Sequence, residues 1–288
     1  MERNVAFIGF GEAAMAFADP GARGYDLKLD DPATRARKLA DFARCDVTPC
    51  DSATAALIGA RMILSLVTAD QALAVARGAA AAIEPDALWL DMNSVAPETK
   101  RAAAAEIDRT GRYVDVAVMA PAQPGGRDVP LLVSGPYAAE GAAALRACGF
   151  TSVRIVGTAI GDASAIKMIR SVMIKGIEAL SAECVLAAEA AGVRDEVTAS
   201  LDLTWPGADW KRRFDYSLDR MMIHGERRAA EMEEVVTTLD ALGTSSTMSR
   251  ATVELHYAIG SLCAMPPSGL SAKLRVLLPF LTRLEKAA

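Results

Sequence analysis

Short apolar runs alternate with segments of helical spacing through the first half of the chain. Residues 4–8, 24–29, 62–67 and 87–91 read as strands, residues 15–18, 33–44, 52–58 and 68–83 as the helices between them, with a short extended segment near Val47. The run Met62-Ile-Leu-Ser-Leu-Val67 is almost continuously apolar, as expected of a strand buried on both faces. A last strand pair, 113–118 and 130–133, is joined by Met119-Ala-Pro-Ala-Gln-Pro-Gly-Gly-Arg127, whose prolines and glycines predict a shaped loop. Alternating strands and helices imply a parallel sheet covered on both faces.

From residue 162 the strand pattern stops. Residues 162–191 read as one long helix, with Asp162 able to cap its start and Gly192 to end it. Ile166, Ile169, Met173, Ile177, Leu180, Cys184, Val185 and Ala188 recur at helical spacing and predict the buried face, while Lys167, Arg170, Ser171, Ile174 and Glu178 form a polar cluster on that rod. Further helices are expected at 195–202, 210–223, 226–242, 248–265 and from 271, with a turn at Trp205-Pro-Gly207. If the helix runs through Gly225, then Arg220, His224, Arg227, Arg228 and Glu231 share one stripe, either a solvated face or a set of cations for an anionic ligand. The fold class is therefore α/β, a doubly wound sheet over residues 1–160 followed by an all-helical domain over 161–288.

Composition narrows the classes. The 288 residues are 52% hydrophobic and 23% charged, with a net charge of −5 and basic residues mixed among acids, so neither nucleic acid nor a membrane surface is an expected partner. No apolar run reaches the length of a membrane span, and Met1 to Asn4 lead straight into a strand, so a cytoplasmic location is expected. Five cysteines without a CxxC pair read as reduced core residues, and two distant histidines, His224 and His256, make a metal site unexpected.

The first strand ends at Gly9-Phe10-Gly11-Glu12-Ala13-Ala14, and a helix follows. Gly9 serves a tight turn, Gly11 lets a diphosphate approach the backbone, and Ala14 is the small residue against the sheet, the pattern of a Rossmann-type dinucleotide site. Asp26, after the second strand, is suited to the adenosine ribose hydroxyls and repels a 2′-phosphate, which favours NAD; Lys28 keeps NADP open, and Asp30 and Asp31 can instead start the next helix. Residues past the carboxyl ends of the strands line the ligand crevice, which places Leu66, Val67, Thr68, Asn93 and Ser94 there.

Taken together, these segments resemble the β-hydroxyacid dehydrogenase superfamily, which includes 3-hydroxyisobutyrate and 6-phosphogluconate dehydrogenases. Asp91-Met-Asn-Ser-Val-Ala-Pro97 is similar to its substrate-binding segment, and Gly161 followed by Lys167 to the start of its long interdomain helix. The resemblance implies that Lys167 is the catalytic residue, that Asn93 and Ser94 orient the substrate, and that the chain forms a homodimer through its helical domain. Two departures stand out: the family's Ser-Gly-Gly is Met119-Ala120-Pro121 here, with one fewer backbone donor, and its Asn four residues after the lysine is Ser171, beside Arg170. Lys-Met-Ile-Arg-Ser (167–171) and the segment His224 to Met232 look closest to a subgroup with a divergent helical domain. For it the resemblance implies a fold and a reaction class but no substrate.

The reaction expected is NAD(P)-dependent interconversion of a hydroxyl and a carbonyl on a small anionic substrate, with Lys167 as general acid/base and Arg170 and, less centrally, Ser171 as substrate contacts. Two alternatives stand beside it. Imine reduction is hosted by related sequences, usually with Asp or Tyr at the lysine position, and a non-catalytic dinucleotide-binding regulator would fit the altered loop.

Overall fold

The computed structural model describes residues 4–284, and side chains as far as residue 279. Residues up to Ile169 form one compact unit and those from Arg170 a second.

The first unit is built on an eight-stranded sheet in the order β3-β2-β1-β4-β5-β6-β7-β8. Its strands are β1 (Val5–Ile8), β2 (Arg23–Tyr25), β3 (Thr48–Pro49), β4 (Met62–Ser65), β5 (Leu88–Asp91), β6 (Arg112–Val118), β7 (Leu131–Ser134) and β8 (Val153–Ile155). The helices between them are α1 (Glu12–Ala16), α2 (Pro32–Arg44), α3 (Ala53–Leu57), α4 (Ala72–Ala79), α5 (Pro97–Ile107), the single turn α6 (Ala122–Gly125) and α7 (Ala138–Ala147). Alternate residues along the central strands β1, β4, β5 and β6 feed two separate cores. Phe7, Leu64, Leu90 and Val114 face one layer, and Ala6, Ile8, Ile63, Trp89 and Tyr113 the other. That is why these strands read as apolar runs, since both faces are covered. Local signals fix the helix starts: Asp31 accepts from the Ala33 amide ahead of α2, and Ser52 accepts from the Ala55 amide ahead of α3.

This unit differs from the sequence expectation at several points, among them the unexpected α5, α7 and β8. The predicted strand 24–29 stops at Tyr25, because the Asp26 carboxylate accepts from the Lys28 amide and starts a short 3-10 turn over Leu27–Leu29. The helix expected at 68–83 is a 3-10 turn followed by α4 alone. The sheet is parallel except where β6 and β7 pair antiparallel, with Asp115 opposite Ser134.

Helix α8 (Asp162–Ala190) begins in the first unit and continues into the second, which adds α9 (Arg194–Thr204), α10 (Trp210–Ala241), α11 (Thr247–Gly260) and α12 (Leu270–Leu284). The break expected near Gly225 is absent: α10 is one helix of 32 residues. Gly225 instead lets α11 approach, since a Cβ on it would lie 2.4 Å from the His256 carbonyl oxygen. Phe214, Leu218, Met221, Val185, Ile259 and Leu274 form the core. Lys273 of α12 pairs with Asp215 at 2.6 Å and Asp219 at 2.9 Å on α10, and these carboxylates raise its pKa against the opposing effect of burial.

The faces of α8 correct the sequence reading. Ile169, Met173 and Leu180 of the expected buried stripe are 48%, 62% and 53% exposed, whereas Lys175 and Glu178 are only 5% and 7% exposed. The reason is a buried ionic cluster within the second unit. Lys175 pairs with Glu231 at 2.8 Å, Glu231 also takes Arg227 at 3.0 Å, and Arg228 pairs with Glu178. His256, fully buried, places Nε2 3.4 Å from the Lys175 carbonyl. Burial first, then the neighbouring Arg228 cation, lower its pKa to about 4. The stripe on α10 is therefore neither uniformly solvated nor uniformly inward: Arg227 faces solvent while Arg228 is buried.

Candidate functional site

The glycine turn after β1 is held rigidly from three sides. Gly9 has φ +83°, a left-handed conformation that a side chain would strain, and a Cβ there would lie 2.5 Å from the Leu66 carbonyl oxygen. Its amide donates to the Tyr25 carbonyl at 2.9 Å, which ties the turn to the end of β2. Phe10 donates its amide to Asp26 Oδ2 at 2.7 Å and accepts on its carbonyl from Lys38 Nζ at 2.7 Å. Its fully buried ring stacks on Phe42 with centroids 4.1 Å apart. Phe10 thus shapes the turn from inside, with its ring buried and its amide and carbonyl both engaged within the protein. Lys38, itself buried, is paired with Asp41 at 2.9 Å. Beyond this clamp, a Cβ on Gly11 would meet nothing within 4 Å, so the turn leaves open space where a phosphate-bearing ligand has to approach. Glu12 is exposed, Ala13 partly so, and Ala14 is packed into the core.

Asp26 is half-buried at the rim of this turn, with one oxygen on the Phe10 amide and the other on the Lys28 amide at 3.0 Å. Lys28 itself is exposed. Beside it, Tyr25 donates to Asp30 at 2.6 Å, and burial together with that carboxylate pushes its pKa up to about 12. Asp26 and the glycine turn are therefore one hydrogen-bonded unit, although 16 residues separate Asp26 from Phe10.

Along the strand ends, the residues expected in the crevice are tied to one another. Asn93 accepts from the Val67 amide at 2.7 Å and donates to Ser65 Oγ at 3.0 Å, so both ends of its amide are engaged within the protein. Leu66 and Val67 are partly buried and Thr68 is exposed. Ser94, next in the chain, accepts a hydrogen bond from Lys167 Nζ at 2.5 Å, bringing together two residues 73 positions apart. Arg170, one helical turn on, is exposed, and Ser171 is buried.

Behind this pair lies a buried set of charges that the sequence reading did not single out. Lys100 Nζ donates to the Asp91 carbonyl at 2.6 Å and to Asp91 Oδ1 at 2.9 Å, and stands 3.3 Å from Asp115 Oδ1. Tyr113 donates to Asp91 Oδ2 at 2.7 Å, and its burial and the two carboxylates hold its phenol protonated far above the usual range. Asp115 Oδ2 accepts from Ser134 Oγ at 3.0 Å and from the Gly161 and Ser164 amides at 3.2 and 3.1 Å. Asp115 and Ser134, rather than Asp162, thus hold the orphan amides at the start of α8. One signal was available for this set: Asp115 interrupts the otherwise apolar run Tyr113-Val-Asp-Val-Ala-Val118. Lys38 and Lys100 carry no such mark, because a lysine on a short amphipathic helix reads as solvent-facing.

Among the described residues no group of acidic, histidine or cysteine side chains is arranged to hold a metal ion. No helix of the described residues is long and apolar enough to cross a membrane.

Residues 4–139 match the model of the NAD binding domain of 6-phosphogluconate dehydrogenase, and residues 188–259 that of a domain of unknown function, DUF1932. The chain is 41% identical to a conserved hypothetical protein from Sinorhizobium meliloti, over 98% of this chain and 97% of that one, with a TM-score of 0.70. It is 30% identical to the conserved protein MTH1747, whose structure is described as similar to 3-hydroxyacid dehydrogenases, over 88% of this chain and 96% of that one, with a TM-score of 0.64. A 28.5 kDa protein of Methanothermus fervidus is 28% identical over 177 residues, which cover 60% of this chain and 66% of that relative's length. The chain belongs to the β-hydroxyacid dehydrogenase superfamily of NAD(P)-dependent oxidoreductases, in a branch that joins the NAD-binding domain to a DUF1932 helical domain.

Proposed function

We propose that the protein interconverts a hydroxyl and a carbonyl group on a small anionic substrate, with Lys167 as the general acid/base. The observation that carries this reading is the 2.5 Å hydrogen bond from Lys167 Nζ to Ser94 Oγ, which joins the helix lysine to the end of the crevice-lining segment. Gly11 and the start of α1 would hold the dinucleotide diphosphate through backbone amides, Gly9 and Phe10 would shape the turn with their own amides committed to Tyr25 and Asp26, and Asp26 would hold the adenosine ribose. When bound, a nicotinamide dinucleotide supplies the hydride chemistry.

Lys167 takes the hydroxyl proton in oxidation and returns it in reduction. Ser94 holds Lys167 Nζ in place, as the neutral amine when it takes the proton and as the ammonium when it returns it, and offers its hydroxyl to the substrate oxygen. Asn93, with its amide committed to Val67 and Ser65, acts by keeping the crevice backbone in register. Arg170, exposed on the same helix, pairs with the substrate's negative group, and Ser171 is a lesser contact. The carboxylate of Asp26 at the ribose position favours NAD over NADP, since it repels a 2′-phosphate.

Lys167→Ala tests the assignment: NADH affinity survives while turnover over a panel of hydroxyacids falls by roughly 100-fold or more. Turnover left intact removes Lys167 from the mechanism.

A homodimer formed through the helical domain belongs to the same proposal. The exposed apolar side chains Met173, Leu180 and Trp205 support it, because such residues on one face of a domain commonly meet a partner. Sedimentation equilibrium at micromolar concentration decides between one copy and two.

A further inference from the structure

Lys167 and Ser94 come from different elements, and each element is fastened to the same buried charges. On the Ser94 side, Asp91 Oδ1 accepts from the Asn93 amide at 2.9 Å, which sets the direction of the chain leaving β5. On the Lys167 side, Asp115 and Ser134 take the amides of Gly161, Ser164 and Ala163 and so fix the first turn of α8, which carries Lys167 on its second. Lys100 stands between the two carboxylates, and Lys100, Asp91, Asp115 and Ser134 are all at most 1% exposed. A lysine wholly out of water is retained only where its ammonium is matched, and here the match spans two strand ends and a helix start.

We infer that Lys100, Asp91, Asp115 and Ser134 form a positioning device for the proposed catalytic pair, setting the place of Lys167 Nζ against Ser94 by clamping both of their backbones to one buried ammonium. The inference rests on the proposed role of Lys167. These four residues touch neither substrate nor cofactor. They act through the geometry of the two segments, and displacements of about 1 Å in a reacting group can cost on the order of 100-fold in rate.

Two variants test it. Ser134→Ala deletes a single oxygen, the one that accepts from Ala163 and donates to Asp115, and keeps every charge. Asp115→Asn removes the charge and keeps the size. Each is compared with the unaltered full chain by thermal melting, NADH fluorescence titration, turnover, and acetylation of Lys167 by an amine-reactive acetyl ester read by mass spectrometry, with the exposed Lys211 as internal control. In folded variants, the expected result is a turnover loss of roughly 10- to 100-fold, little change in NADH affinity, and a several-fold rise in Lys167 acetylation relative to Lys211.

Lys167 acetylation unchanged in folded Ser134→Ala and Asp115→Asn overturns the inference, whatever the turnover does. If acetylation rises while the unaltered chain turns over no hydroxyacid, the positioning device stands and the dehydrogenase reading falls. If Asp115→Asn fails to fold, Ser134→Ala alone decides by the same criterion.

Discussion

The two units bury charge in different ways, and the contrast shows what buried charge can be for. In the first, one lysine sits between two carboxylates at adjacent strand ends, and the set fastens the segments that carry Ser94 and Lys167. In the second, Lys175 and Glu178 of α8 pair with Glu231 and Arg228 of α10, the exposed Arg227 joins Glu231 from within α10, and the cluster lies beside a histidine whose pKa is lowered to about 4. The first set hangs on a single cation. The second is redundant, since Glu231 keeps Arg227 if Lys175 is lost. A lone buried ammonium shared by two carboxylates specifies a geometry, whereas a network with several cations tolerates a loss.

The largest expected effect breaks the first set. Lys100→Met leaves Asp91 and Asp115 facing each other without their cation and costs about 3–5 kcal/mol, whereas Lys175→Met costs about 1–2 kcal/mol; denaturant unfolding of the two variants gives the ratio. Equal losses would mean that the two sets are equally dependent on one cation. Next is Gly225→Ala, whose added methyl drives into the backbone of α11; about 3 kcal/mol and a lower melting temperature are expected, since overpacking against a main chain has no soft direction to relax.

A comparable loss follows from acid. His256 has a folded pKa of about 4 against an ordinary 6.5, so the unfolded chain binds its proton first. The stability tied to its neutral form is fully present above pH 6.5 and is lost as pH falls toward 4, by up to about 3 kcal/mol. His256→Gln flattens that part of the stability profile, and a slope that persists in the variant places its origin elsewhere. The smallest effect is on the outside of α8: Leu180→Ser changes the stability of a single chain by under about 0.5 kcal/mol, yet weakens self-association in sedimentation if the exposed stripe is a dimer face.

Much of the first unit was legible before any coordinates. Met62-Ile-Leu-Ser65 reads as a buried strand because both of its faces are covered, and Gly9 reads as a turn glycine because no other residue takes its backbone angle easily. Among site residues, Gly9, Asp26, Ser94 and Lys167 were candidates from motif and order alone, and the structure brings Phe10 together with Asp26 and Ser94 with Lys167. Lys38, Lys100 and Ser134 were not, because their roles lie in partners 28, 9 and 19 residues away. The period of α8 was right, and its expected buried face held at Val185 and Ala188 but not at Ile169, Met173 and Leu180. Helical spacing tells which residues share a face, but an apolar stripe and a polar stripe on one rod are distinguished only by what each one meets.

What the sequence determined by itself was the order of strands and helices, the glycine turn, and the family that these imply, since local backbone preference and periodicity are written residue by residue. Only the tertiary structure decided which lysines are buried, what caps α8, and which side of that helix faces in. Those outcomes depend on pairing charges that are distant along the chain, and a charge enters the interior only where folding delivers its partner.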